Sequence, residues 1–270
     1  MSAMPDMQAP APTVVTGREH TLGLPKSAIG RAALNAQIAL ENAISRASLL
    51  PDVPIYEREQ FPWAREIEAA TPDIQAELDR VLSFRDRLPA FHEIMKEVGT
   101  ITNDQNWKTY FLAGIGMDCT ENARRCPRTM EAIAKIPRSS TAFFSILSPG
   151  KHIPAHRGAY AGLLRLHLGL KVPEPVERCR IRVGDQYRSW REGEVLIFDD
   201  TYNHEVWNDT DGWRVVLFVD FARPLREPWG MFNRSLLRLG PLAPFLRDAD
   251  RKQRTWTSLF YKNGDGGSGA

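Results

Sequence analysis

The segment LLRLHLGL, residues 163–170, constrains the fold more than any other stretch. Side chains of a β-strand alternate between two faces. Leu164, Leu166, Leu168 and Leu170 therefore share one face, and Leu163, Arg165, His167 and Gly169 share the other. The leucine face requires an apolar layer. The opposite face carries a guanidinium and an imidazole pointing the same way. On an edge strand that face is simply wet; inside a small barrel it lines a pocket suited to an anion, since arginine offers a planar, always-charged fork for carboxylate. The segment WRVVLFVDF repeats the theme, with Arg214 on the face of Val216, Phe218 and Asp220. Burying that arginine is costly unless it meets an anion. A ligand could supply it, or a carboxylate such as Asp220 or Asp200, and the strand alone leaves both readings open.

The rest of the chain is organised around these strands. WKTYFLAG, STAFFSILSPG, CRIRVG and EVLIFDD also read as strands, separated by turn-rich pieces such as VPEPVE, REGE and NDTDG. Several strands at short intervals argue for an antiparallel sandwich or barrel. Residues 1–17, rich in Pro and Ala, read as a flexible tail. An Ala-rich helical segment follows over 18–53, with Ile29, Ala33, Ala36, Leu40, Ala43 and Ala47 at helical spacing. ATPDIQAELDRVLSF predicts a helix capped by Thr71, with Ile74, Leu78, Val81 and Leu82 as its apolar stripe. The strand-rich domain spans 54–224. A helical extension, 225–270, has two short helices broken at Pro241 and Pro244 and a flexible end.

Composition narrows the function classes. Lys plus Arg number 35 against 33 Asp plus Glu, a near-balance that gives no reason to expect nucleic acid as a partner. Three cysteines, Cys119, Cys126 and Cys179, fit neither a disulfide framework nor a four-thiolate zinc site and read as free thiols in a reducing compartment. No signal peptide or membrane-length apolar run is apparent. The expected location is cytoplasmic, in a chain bacterial in style. From Arg223 to Lys262 nine basic residues face three acidic ones. A solvated helical cap is the simpler reading, and a peripheral contact with the inner face of an acidic membrane is the alternative.

Two histidines flank the polar-faced strand. His156 lies in a loop just before it, and His204 follows the turn after Asp199 and Asp200. Imidazoles on separate strand ends can converge on one divalent ion, Fe and Zn among them. The ordered set FSILSPG, AHRGAYAGLLRLHLGL, WREGEVLIFDDTYNHEVWN and WRVVLFVDFARP, about Pro54 to Pro224, resembles the aspartyl/asparaginyl β-hydroxylase family. The resemblance implies a mainly β, double-stranded β-helix (jelly-roll, cupin-like) fold with flanking N- and C-terminal helices. It also implies a dioxygenase using Fe(II), 2-oxoglutarate and O2. By resemblance His156 and His204 hold the iron, and Arg214 grips the distal carboxylate of 2-oxoglutarate with Ser145 helping. Arg165 and His167 lie near the metal-bound end of the cosubstrate, and Trp107 is an aromatic member of the same pocket. Two after His156, where a carboxylate ligand is usual, stands Gly158. The family tolerates glycine there, and water is expected at the vacant position. Asp199 and Asp200 are expected to cap the turn before His204, and the alternative is that one of them supplies a compensating charge at the iron.

The first expectation for the substrate is the β-carbon of an Asp or Asn side chain in a peptide or small molecule. The alternatives are the acyl chain of lipid A and, in another class, a non-catalytic jelly roll that binds a ligand. Retention of His156, His204, Arg165, His167 and Arg214 speaks against the last. GMDCTENARRCPRT is read either as a substrate-side loop or as a scaffold connection.

Overall fold

The computed structural model describes residues 17–18, 27–158 and 160–262. The sequence expectations for residues 1–16 and for the far C-terminal end lie outside the described residues. Ten strands form among the described residues: β1 (Ile55–Tyr56), β2 (Trp107–Ala113), β3 (Ser139–Leu147), β4 (His152–His156), β5 (Leu163–Lys171), β6 (Cys179–Val183), β7 (Gln186–Ser189), β8 (Val195–Phe198), β9 (His204–Asn208) and β10 (Arg214–Ala222). They pair antiparallel in a six-stranded sheet of order β1-β8-β5-β10-β3-β2 and a four-stranded sheet of order β4-β9-β6-β7. This is the jelly roll, with helices outside it: α1 (Ala28–Ala47), α2 (Ala64–Ala69), α3 (Thr71–Leu82), α4 (Phe91–Ile94), α5 (Thr120–Arg125), α6 (Pro127–Ala134), α7 (Trp229–Leu239) and α8 (Pro244–Lys262).

The alternation in β5 sorts the core into two layers. Leu164, Leu166, Leu168 and Leu170 are fully buried against Ile67 of α2 and Ile74 and Leu78 of α3. The opposite face looks between the sheets, where Phe143, Phe218, Ile181, Val183 and Val206 form the second layer. Arg165 and His167 are thus interior, not solvent-facing. Gly169 is where the chain needs no side chain: a Cβ there would lie 2.1 Å from the Arg191 carbonyl oxygen.

Several local expectations change. α1 docks only through its last turns, burying Glu41, Ile44 and Ala47, while Ile29 of the expected stripe is 84% exposed. An alanine-rich helix presents no single apolar face, so its docking side is set by the body it meets. Thr71 sits inside α3 and bonds the Glu68 carbonyl; Ala70 is the cap. After α7 the chain makes one short turn at Gly240–Leu242, and Pro244 then opens a long helix of 19 residues, because proline is tolerated in a first turn. His156 ends a strand, not a loop. Cys119, Cys126 and Cys179 are buried free thiols, with Cys119 and Cys126 pushed up to about 12 by burial.

Candidate active site

β4 and β9 bring the two histidines together as direct cross-strand partners, with ring centroids 4.1 Å apart. His156 Nδ1 lies 2.8 Å from the Pro154 carbonyl and His204 Nδ1 lies 3.0 Å from the Tyr202 carbonyl. A carbonyl only accepts, so each Nδ1 carries the proton and donates. That fixes the tautomer whose Nε2 has a free lone pair, the arrangement a metal ligand needs. Burial lowers His156 to about 4, and burial together with the neighbouring His156 holds His204 well below the usual imidazole range. Both rings are neutral at neutral pH. This donor pair fits a divalent ion such as Fe(II). Among the described residues, no cluster of three or more His, Cys, Asp or Glu assembles around them.

Gly158 explains part of that. A Cβ on Gly158 would lie 2.1 Å from Asp200 Oδ2, so the Asp200 carboxylate occupies the space an acidic side chain at 158 would enter. Asp200 does not cap its turn. It pairs with Arg165 at 2.9 Å, and burial raises it to about 6. Asp199 does the capping, accepting from the Thr201 N–H and hydroxyl, and also binds Arg223 at 2.6 Å and Arg18 at 2.7 Å. Arg165 is bracketed by Asp200 and by Asp220 at 2.9 Å, and its guanidinium lies over the Phe218 ring at 4.2 Å. Its charge is already balanced.

Arg214 is the opposite case. It is 1% exposed and makes no ion pair among the described residues; Asp220 and Asp200, the carboxylates that might have met it, belong to Arg165. Its Nε has no hydrogen-bond partner and Nη1 reaches only the Ser145 hydroxyl at 3.5 Å. Trp107 Nε1 donates to the same hydroxyl at 3.0 Å. The Trp190 ring lies 4.6 Å beneath the guanidinium. Burial lowers Arg214 to about 10, which leaves it charged at neutral pH. Both ring nitrogens of His167 are also buried without partners, and burial beside Arg214 keeps the ring neutral. An unneutralised guanidinium, a hydroxyl and an unsatisfied imidazole suit a bound carboxylate. The inner chamber they line with His156 and His204 is small, about 20 Å3.

Trp107, His156, Arg165 and Phe218 also border an outer cavity of about 470 Å3. Its walls are chiefly apolar: Phe91, Met95, Phe111, Ile115, Met117 and Phe143. The segment 116–129 therefore divides its roles, with Met117 on the cavity and Asn122, Cys126 and Thr129 buried as scaffold. Most of this wall and Trp190 carry no sequence signal, because their members come from distant elements without a shared motif; Asp200 was legible as a candidate carboxylate, but not its place beside Gly158 and Arg165.

The profile of the aspartyl/asparaginyl beta-hydroxylase family matches residues 68–224. The chain belongs to this family. An ornithine lipid ester-linked acyl 2-hydroxylase of Rhizobium tropici is 45% identical over 255 residues, 94% of this chain and 91% of that one. The human aspartyl/asparaginyl beta-hydroxylase is 35% identical over 128 residues, which is 46% of this chain and 17% of the human protein. A Pseudomonas putida prolyl-4-hydroxylase structure aligns with a TM-score of 0.37 at 15% identity, over 69% of this chain and 98% of that one. This β-hydroxylase family member is an enzyme, a hydroxylase on a jelly roll.

Proposed function

We propose that this hydroxylase acts on the acyl chain of a membrane lipid, close to its ester carbonyl, with Fe(II), 2-oxoglutarate and O2. The observation that carries the reading is the apolar outer cavity opening onto His156 and Arg165. An Asp or Asn side chain is small and polar and would leave that wall uncovered; an acyl chain covers it. The near end-to-end match to a relative named for acyl 2-hydroxylation agrees with this. A lipid substrate also implies peripheral contact with a membrane, since no helix among the described residues is long and apolar enough to cross one.

His156 and His204 would hold the iron through Nε2, with their Nδ1 protons anchored on backbone carbonyls. When bound, iron and 2-oxoglutarate supply the oxidising power: the cosubstrate loses CO2 to become succinate, and the two atoms of O2 go to succinate and to the substrate C–H. Arg214 binds the distal carboxylate, and Ser145, oriented by Trp107, adds a hydroxyl donor. Arg165, held by Asp200 and Asp220, stiffens the wall beside His156. Phe143 and Phe218, stacked 4.2 Å apart, exclude water from the reacting end.

The test is a side-by-side assay with Fe(II), ascorbate and 2-oxoglutarate. One arm offers an ester-linked acyl lipid and the other Asp- and Asn-containing peptides; succinate and addition of one oxygen to the substrate are measured. Acyl hydroxylation, abolished by His204→Ala, is expected. Hydroxylated peptide with untouched lipid overturns the substrate reading, and no succinate in either arm overturns the metal and cosubstrate assignment.

A further inference from the structure

The C-terminal helices carry an apolar surface that the jelly roll does not need. Phe232, Leu236 and Leu239 stand at i, i+4 and i+7 on α7 and so share one face. Leu242 and Phe245 continue it around the turn into α8, and these five side chains are 38% to 60% exposed. Isolated exposed leucines are ordinary; a run of five large apolar residues along one helix face and the following corner is not. The corner also sits at the cavity mouth. A Cβ on Gly240 would lie 2.6 Å from Ile115 Cγ2, and one on Gly116 would lie 2.8 Å from Pro241 Cβ, so the turn packs directly on the segment that carries Ile115 and Met117. Phe245 and Leu246 themselves border the outer cavity.

Charge identifies the partner. Arg238 and Arg247 flank the apolar run, and neither makes an ion pair among the described residues. Apolar side chains rimmed by arginines without a carboxylate partner among the described residues match an interface of acyl tails beneath anionic headgroups. We infer that the α7–α8 corner is a membrane anchor that seats the mouth of the acyl cavity on an anionic bilayer. The corner lies in the headgroup region, and an acyl chain passes from the leaflet across Phe245 and Leu246 into the cavity. This rests on the lipid-acyl reading for its purpose, though the docking itself can be measured without turnover.

The experiment is co-sedimentation of the full chain with phosphatidylcholine vesicles, with and without phosphatidylglycerol. Binding to the anionic vesicles is expected, and weak binding to the neutral ones. Leu236→Ser/Leu239→Ser/Leu242→Ser and, separately, Arg238→Glu/Arg247→Glu should each weaken anionic-vesicle binding by about tenfold or more. Both should melt as the wild type does and release succinate at the wild-type rate on detergent-dispersed lipid. Equal binding by wild type and both variants, or no binding by the wild type, overturns the anchor. So does a concentration-dependent dimer, seen by sedimentation velocity, that the leucine variant abolishes, since the face would then join two copies. If vesicle binding behaves as expected but only peptides are hydroxylated, the substrate reading falls and the anchor stands.

Discussion

Arg214 sits where burial costs a charged group most, with Ser145 and the Trp190 face as its only compensation among the described residues. Removing one partner of a buried pair destabilises, but removing an unpaired buried charge does the reverse. Arg214→Met should therefore raise stability by about 1–2 kcal/mol while weakening 2-oxoglutarate binding about a hundredfold, because a charge-assisted fork is lost. Melting curves and equilibrium dialysis read the two effects; unchanged cosubstrate affinity would remove Arg214 from the site. Gly158 gives a second prediction of this kind. An aspartate there must share space with the Asp200 carboxylate, so Gly158→Asp should cost about 2 kcal/mol by overpacking and should not tighten Mn(II) binding. Gly158→Asp/Asp200→Gly frees the niche and should recover most of that stability and bind Mn(II) more tightly than wild type. If the single variant is as stable as the wild type, Asp200 does not fill the niche. From sequence, Gly158 reads as a missing ligand; the neighbour that takes its space could not be read, since Asp199 and Asp200 are equally good turn formers. What separates them is tertiary: Arg223 and Arg18 reach Asp199, and Arg165 reaches Asp200.

At the scale of elements, legibility followed periodicity. β5 and β10 were readable because strict alternation over nine residues leaves one face for the helices and one for the pocket. β4 was not, because HIPAH is short and holds Pro154, which reads as a break. The strand tolerates it since β4 is the edge of its sheet, where a missing N–H removes no ladder bond that the sheet needs. α1 was readable as a helix but not in its docking. Its Glu41 makes a buried ion pair with Arg157 at 2.6 Å, and Arg157 Nε donates to the Thr201 carbonyl. This links α1 to the residues just after His156 and to the turn before His204. Glu41→Gln replaces the carboxylate of a buried ion pair with a neutral amide and should cost about 2–3 kcal/mol. It should also raise the KM for lipid, since Arg157 and Gly158 border the outer cavity. Glu41→Asp should restore part of both. A melting temperature equal to wild type for Glu41→Gln would mean that α1 is dispensable to this corner.

For the whole molecule, the interior histidines set a dependence of stability on pH. His156, His167 and His204 all titrate below the usual value of an exposed imidazole, chiefly from burial. As pH falls below the usual imidazole value the unfolded chain takes up a proton at each that the native metal-free protein refuses, down to about pH 4 for His156, so stability falls as pH falls. At about pH 5.5 each contributes about 1.4 kcal/mol of loss relative to neutral pH, roughly 4 kcal/mol for the three. Asp200 opposes them. Its native pKa is raised to about 6, so the native state holds a proton that the unfolded state has released, which favours the fold as pH drops. That term is about 1 kcal/mol at the same pH, since only half a unit separates the two values. The net expectation is a loss of about 3 kcal/mol, or roughly 6–12 °C in melting temperature for a chain of this size. His167→Phe removes one imidazole that has no hydrogen-bond partner and packs near Trp190, Phe198 and Phe218, so it should cut the net loss by nearly half. Scanning calorimetry of the metal-free protein at several pH values checks both. A melting temperature that stays level or rises on acidification would mean that the three rings are accessible to protons in the folded protein, and that the chamber they line is wet instead of closed.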